Sequence, residues 1–469
     1  MRPLIQLWQG PMAQSSERIV ICGAGIAGIA AAYHLTVRHG ARDVALIEAE
    51  NPLSMTSDKS TEAYRNWWPG PDAAMTQFMN RSIDFLEEIA RETGNRINLN
   101  RRGYLFASGD PAKAQFLLDM AALAERHGAG PLRWHDTARD TYVPAPSEGF
   151  ETPLSGADVI TNRGLIARHF PYLAPETCVV AHARRAGWLS AQQLGMAMLE
   201  RARENGLKLL RGRIAGIETA GGRISGVVVE GVDGKQALPA DKLILCPGPM
   251  LKPLAARLGL DLPVFAERHR KISFADTLHV IPRAAPMLIW LDSQKLPWSE
   301  EEREILAGDP ATRWLTEPFP GGVHGRPDGG ASGSTVLLLY NYESREDEVV
   351  FPLPDPGPYG EIALRGMSTM VPGLKVYVAK GVRPYIDGGY YIKTRENRPL
   401  IGPTTIPGVF LSAAYSGFGI MASGAGGDLI ARHVLEKELP PYASAFLLTR
   451  YEDRAYVARL ADWGDGGQL

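Results

Sequence analysis

The sequence predicts an α/β fold in which a domain built on a parallel sheet is split along the chain around an inserted second domain. Three observations predict it. A strand, a glycine-rich turn, a helix and a second strand follow one another near the start. A second glycine-rich strand-to-helix turn lies near the far end. The chain also has 469 residues, 45% of them hydrophobic, which is more than one simple core accommodates.

The first unit reads RIVICGAGIAGIAAAYHLTVRHGARDVALIEAE. IVIC is an apolar, β-rich run suited to a buried parallel strand. Gly23, Gly25 and Gly28 follow in G-x-G-x-x-G spacing, and a helical pattern then runs to Gly40, which caps it. The strand DVALIE ends at Glu48, about 20 residues beyond Gly28. Gly23 permits the tight turn, Gly25 lets a pyrophosphate approach the backbone, and Gly28 lets helix and strand pack closely. The helix N-terminus faces the phosphates, and Glu48 accepts a ribose hydroxyl. A 2′-phosphate would be repelled by Glu48, which argues against NADP. This is a Rossmann-type dinucleotide site.

Later segments alternate between helix and strand patterns. DAAMTQFMNRSIDFLEEIARETG and PAKAQFLLDMAALAERHG are amphipathic helices that end at glycines. SAQQLGMAMLERARENG is another, with Ser190 and Gln193 spaced as a capping box. RIAGIETAGGRISGVVVEG is a hairpin turning at Gly221-Gly222, and DKLILCPGP is a buried strand stopped by Pro247-Gly248. Residues 293–334 are polar and rich in Gly and Pro. They read as an insertion with one short helix, either a solvated excursion or a lid or oligomer contact. FLSAAYSGFGIMASGAGGDLIARHV carries an apolar strand into S-G-F-G and then a helix. That places a second helix N-terminus toward a ligand, so one cofactor is held from both ends of the chain.

Composition narrows the function classes. The formal net charge of −2 and the lack of long single-sign runs argue against nucleic acid as a partner. No apolar run approaches the ~18 residues of a membrane span. Cys22, Cys178 and Cys246 are far apart, in neither a metal nor a disulfide pattern, so no metal is expected and a reducing, cytoplasmic setting is the default. Residues 1–17 read as a loose arm without a signal peptide.

Four segments in order resemble the FAD-dependent D-amino acid oxidase superfamily, which includes glycine oxidase, sarcosine oxidase and D-amino acid dehydrogenase. They are the first βαβ unit, the stretch GWLSAQQLG to KLILCPG, GVRPYIDGGYYIKTRENRPLIGP, and FLSAAYSGFGIMASG. The resemblance implies an FAD domain over 18–98, 186–255 and 385–445. A substrate domain on a mixed sheet, α+β in class, then covers 99–185 and 256–384. It implies noncovalent FAD, with the backbones of Ala24, Ile26 and Ala27 at the pyrophosphate and Glu48 and Ala49 at the ribose. Ile214 lies near the adenine, Cys246, Pro247 and Gly248 line the cofactor, and Gly417, Phe418, Gly419, Ile420 and Met421 reach the pyrimidine side of the ring. The run SMTSDKSTEAYRNWW crosses from ribose to ring, so Thr56, Ser57, Ser60 and Thr61 are hydrogen-bonding candidates. Lys59 and Arg65 then fall near the ring or a substrate acid. Trp67 and Trp68 wall the cavity or anchor the next helix.

For the chemistry, Arg383 in GVRPY matches a carboxylate-binding arginine of glycine oxidase and touches the cofactor, with Tyr385 framing the same site. His269 falls near the substrate, on a strand similar to one in sarcosine oxidase. Tyr340 and Tyr342 share one strand face, which is either cavity or core. At the position of the family's carboxylate-binding Lys the chain has Met421, which leaves a substrate acid to Arg383 or Arg65. TVLLLYNY holds no Lys where an oxygen-activating lysine is expected, which puts a dehydrogenase beside an oxidase as the reading. The leading expectation is oxidation of the C–N bond of an amino acid or N-substituted amino acid. A hydride passes to flavin N5 and the resulting imine hydrolyses, with oxygen or another carrier as electron acceptor. No strong base is needed if the amine arrives neutral. Two alternatives stand beside it: a dehydrogenase of a 2-hydroxy acid or other alcohol, for which His269 is an essential base, and a flavin-binding subunit of a hetero-oligomer.

Overall fold

A computed structural model describes residues 17–330 and 332–460. The arm expected over residues 1–17 lies outside the described residues except for its last residue. Two large sheets organise the chain. A six-stranded sheet has the order Leu400–Pro403, Val409–Ala413, Lys242–Leu245, Ile19–Cys22, Val44–Glu48, Lys208–Arg211. Its last five strands are parallel, and only Leu400–Pro403 is antiparallel.

Alternation along the strands sets the two faces of this sheet. Ile19, Ile21, Val44 and Leu46 point to one face and pack with the helices Ile26–Tyr33, Ala74–Glu92, Ala191–Glu204 and Gly419–Val434. Val20, Cys22, Ile47, Leu243 and Leu245 point to the other, against Ile224, Val227 and Val229 of a three-stranded antiparallel sheet. Ile21 and Ile29 have no exposed surface, and each such side chain contributes about 1.5–3 kcal/mol. The first helix widens after Tyr33, with His39 N–H bonding the His34 carbonyl, and Gly40 follows at φ +71°. Ser190 Oγ caps the helix Ala191–Glu204 by accepting from Gln193 N–H. The return bond of the expected capping box is absent, because Gln193 Oε1 accepts from Arg96 instead.

The second sheet has nine mixed strands, from Tyr385–Lys393 and Phe265–Ala275 at one edge to Leu132–His135 at the other. Its faces are covered by the helices Tyr359–Met370 and Lys113–Arg126. Two sequence expectations change. Residues 385–393, assigned above to the cofactor domain, pair with Phe265–Ala275 in this second sheet. The segment 293–334 is solvated only in its middle, around the helix Glu300–Gly308, which buries no residue. Leu296, Trp298, Leu315 and Phe319 are core residues, and the strand His324–Pro327 sits inside the nine-stranded sheet. Aromatic and aliphatic residues scattered among Gly and Pro hide such a strand from a composition reading.

The tightest contact in the first unit lies between helix and turn. A Cβ on Gly28 would sit 1.9 Å from the Gly23 carbonyl oxygen. Gly28→Ala is therefore expected to destabilise the fold by about 1–3 kcal/mol, measured by thermal unfolding of the flavin-loaded protein.

Candidate active site

The C-terminal ends of the parallel strands open into a cavity of about 360 Å³. This is where ligands bind in open α/β sheets. Gly23, at φ +96°, makes the turn, and a Cβ there would lie 2.5 Å from the Cys246 carbonyl oxygen. Gly25, Ile26 and Ala27 line the cavity at the helix N-terminus. Ile26 N–H donates to Ser57 Oγ at 3.0 Å. The Glu48 carboxylate accepts from Ala24 N–H at 2.6 Å and from Glu50 N–H at 2.9 Å, tying the glycine turn to the second strand. Glu48, Ala49 and Ile214 wall one end, with Cys246, Pro247 and Gly248 beside the turn. Burial pushes the Cys22 thiol up to about 12 and the Cys246 thiol higher still, so neither is a nucleophile at neutral pH.

The far end is closed by the second glycine turn. Ser416, Gly417, Gly419 and Ile420 line it. The 16-residue helix Gly419–Val434 starts there, with its first N–H groups toward the cavity. Gly417 is at φ +90°, and a Cβ on it would meet the Tyr391 ring at 2.4 Å. One elongated cavity with a helix N-terminus at each end fits FAD: the pyrophosphate at the first, the electron-rich edge of the ring at the second.

The other sequence candidates divide. Thr56 and Ser60 line the cavity, with Thr56 Oγ1 donating to the Tyr390 carbonyl. Ala24 and Gly28 are buried behind the turn. Lys59 leaves the cavity and pairs with Asp58 and Asp387, and the Thr61 carbonyl is taken by Arg326. Phe418 and Met421 turn into the core instead of lining the cavity, because the helix start directs them inward.

Arg383 and Tyr385 are corrected outright. Both are exposed, Tyr385 at 66%, in the approach to the Tyr385–Lys393 strand, and neither lines the cavity. The same strand instead brings its other end, Tyr390 to Ile392, against the cavity. Tyr340 is also corrected: it is core, with its hydroxyl donating to the Pro320 carbonyl and its ring against Gly366 and Tyr342.

Arg65 and His269 belong to one buried cluster behind Gly417, a chamber of aromatic and ionisable side chains in which both act on His324. The Tyr391 ring lies on Gly417, and His269 stacks on Tyr391 with centroids 3.9 Å apart. Arg65 is buried, its guanidinium 4.4 Å from the Trp68 ring centroid, and it hydrogen-bonds the Trp67 carbonyl and Tyr104. Trp68 in turn packs edge-on against Phe418, while Trp67 packs with Phe106. His324 feels the charge of both His269 and Arg65, and burial first, then those charges, hold it neutral, down to about 4.

Sequence reasoning missed Tyr391, Glu267 and Lys393, which complete this chamber. Glu267 Oε1 bonds His269 Nε2 at 2.6 Å, and its carboxylate also accepts from Asn341, Ser344 and Lys393. The signal was present as alternation: Glu267 and His269 are two apart on one strand, and Tyr391 and Lys393 on the next. Lys271 continues that face and donates to the Asp58 and Ser60 carbonyls. Among the described residues no group of three His, Cys, Asp or Glu side chains is placed to hold a metal ion. No helix among them is long and apolar enough to cross a membrane.

A sequence profile described as DAO, FAD dependent oxidoreductase, matches residues 18–433. The chain belongs to this family. FAD is therefore the cofactor of this oxidoreductase, and the cavity is the place that fits it. Solved structures show the same fold at low identity. L-proline dehydrogenase from P. horikoshii is 18% identical with a TM-score of 0.71, over 93% of this chain and 98% of that one. Glycine oxidase from Geobacillus kaustophilus is 19% identical with a TM-score of 0.68, over 92% and 98%. Iminodiacetate oxidase from Chelativorans sp. BNC1 is 19% identical with a TM-score of 0.66, also over 92% and 98%. No protein of curated function matches the chain in sequence.

Two expectations follow for the FAD oxidoreductase. Gly417→Ala forces a Cβ into both a left-handed backbone and the Tyr391 ring, so FAD is expected to bind roughly tenfold or more weakly, read by flavin fluorescence on dilution. Burial pushes the Glu267 carboxyl upward, but the His269 hydrogen bond and the charges of His269 and Lys393 outweigh it and hold it at about 2, against 4.5 ordinarily. That pairing contributes stability above about pH 4.5, lost as pH falls toward 2. In Glu267→Gln the acid limb of an unfolding-versus-pH curve is expected to flatten across that window.

Proposed function

We propose that this oxidoreductase oxidises the C–N bond of an amino acid or N-substituted amino acid to an imine, which water then hydrolyses. The observation that carries the reading is the buried guanidinium of Arg65, held against Trp68 beside the ring end of the cavity. Its planar fork suits a substrate carboxylate. With the acid on Arg65, the substrate's α-carbon falls between Tyr391, His269 and the cavity's ring end. Bound FAD supplies the oxidant, taking a hydride at N5. The chain's own residues bind, orient and exclude water: Tyr391 and Trp68 wall the chamber, and Arg65 fixes the acid. The cysteines that line the cavity lie at the glycine-turn end, away from the ring, which supports noncovalent FAD. The three comparison proteins named above are a proline dehydrogenase, a glycine oxidase and an iminodiacetate oxidase, which supports the amino acid class.

A second reading, oxidation of a 2-hydroxy acid, is favoured by the carboxylate-backed imidazole of His269. An alcohol loses a proton from oxygen and needs such a base. Anaerobic titration of the yellow protein with amino acids, N-methyl amino acids and hydroxy acids decides between them. Bleaching of the flavin band by amines is expected. Bleaching by hydroxy acids alone would replace the first reading with the second, and no bleaching by any would favour a cofactor-binding subunit. Reoxidation of the bleached protein in air, or only by an added carrier, identifies the acceptor.

Arg65→Met is expected to raise the substrate KM by roughly 10–100-fold, the loss of a charge-assisted hydrogen-bond pair. Arg383→Met is expected to leave flavin reduction within about twofold of the wild type, as for a surface change. Stopped-flow reduction of both variants, with the flavin spectrum as the fold control, tests this.

A further inference from the structure

Glu267 is the most heavily bonded carboxylate at the chamber. Asn341 Nδ2 and Ser344 Oγ donate to it at 2.9 Å each, and Lys393 Nζ at 3.0 Å. A carboxylate among so many donors is ionised and accepts only. The fourth contact, at 2.6 Å to His269 Nε2, therefore carries the imidazole's proton on Nε2. That leaves Nδ1 with the lone pair, and Nδ1 has no hydrogen-bond partner among the described residues. The ring itself is fixed in plane by Tyr391, which lies on the Gly417 turn.

We propose that Glu267 is a positioning residue that fixes the tautomer of His269, so that Nδ1 takes a proton from the substrate's ammonium group before oxidation. The inference rests on the amino acid reading above and changes one part of it: the amine enters as the ammonium and is deprotonated in the chamber. The substrate N–H bond breaks, an Nδ1–H bond forms, and the substrate nitrogen keeps the electron pair. The imidazolium that results sits on the Glu267 carboxylate. The C–H bond of the neutral amine then gives up its two electrons and hydrogen to FAD, the oxidant that the family's activity supplies.

The charged and titratable groups around His269 set the sign of each test. On its own strand Glu267 favours the imidazolium. From the neighbouring strand Lys393 opposes it, and Tyr391 stacks on the ring. From another strand packed here comes His324, whose own charging is opposed by both His269 and Arg65. Burial, then Lys393, outweighs Glu267, and His269 is held below its ordinary value. It is neutral, and so a base, at neutral pH.

The test has two arms. In the FAD-loaded protein labelled with 15N-histidine, and with His269 assigned through His269→Gln, the wild type is expected to show protonated Nε2 and bare Nδ1 at neutral pH. Glu267→Gln is expected to give a mixture of tautomers, and Glu267→Asp to keep the wild-type pattern. Protonation at Nδ1 in the wild type would overturn the proposal whatever the substrate. In the second arm, anaerobic flavin reduction by an amine is followed against pH. The rising limb is expected at lower pH in Glu267→Gln and at higher pH in Lys393→Met, opposite shifts that a packing role does not produce. His269→Gln is expected to slow reduction by about 10²–10⁴-fold at neutral pH. That loss is expected to fade as pH approaches the amine's own pKa, near 10 for an alkylammonium. A loss that persists there, or limbs that stay put, overturns the proposal while leaving amine oxidation standing. Bleaching by hydroxy acids alone overturns amine oxidation, and the ammonium step with it.

Discussion

The contact between Gly28 and the Gly23 carbonyl governs how the molecule is arranged. It brings the first helix down onto the face of the parallel sheet, at the end of an interior strand, with no room for a side chain between them. The helix N-terminus then points into the space beyond the strands instead of over the sheet. Cys22, Cys246 and Gly23 crowd together there, so the floor of the cavity is backbone. Such a backbone floor lets a diphosphate approach the helix N-terminus closely, where its charge is met by the helix dipole. The second glycine turn repeats the device at the far end of the same cavity, with the 16-residue helix Gly419–Val434 behind it.

The nine-stranded sheet supplies the roof, and one pairing decides its chemistry. Phe265–Ala275 and Tyr385–Lys393 run antiparallel with Glu267 opposite Tyr391 and His269 opposite Gly389. A Cβ on Gly389 would meet Lys59 and the Thr56 backbone at 3.5–3.6 Å, and Tyr391 lies over the Gly417 turn of the cofactor domain. A register slip of one residue would turn Glu267, His269, Tyr391 and Lys393 away together. The roof is bound to the cofactor cavity by this packing of the Tyr391 ring and by the bonds of Thr56 to the Tyr390 carbonyl and of Lys271 to the Asp58 and Ser60 carbonyls. A buried ionic cluster is costly unless every member is paired, and Glu267 has four partners.

Much of this was legible from the chain. The G-x-G-x-x-G turn, the acid at Glu48, the S-G-F-G turn and the strand ending at Cys246 all fall at the cavity. Each is a local signal, carried by a few consecutive residues. Arg383 shows where local reading fails. GVRPY resembles a known motif, but the strand that follows runs on for nine residues to Lys393, so the end that meets the cavity is Tyr390 to Ile392. A motif gives the residue type, whereas the length of the strand decides which residue arrives. Arg65 was open to the sequence only as a charge in an unpatterned run. Its burial against Trp68 comes from the pairing of Ala63–Arg65 with Ala186–Trp188, about 120 residues away.

The sequence by itself determined the fold class, the two glycine turns and the FAD family, because these depend on backbone freedom and periodicity within single segments. The tertiary structure alone decided which ionisable groups share the chamber. Glu267, His269, Lys393 and Arg65 come from three separate strands, Phe265–Ala275, Tyr385–Lys393 and Ala63–Arg65. Their juxtaposition is set by strand order and register, which no local pattern encodes.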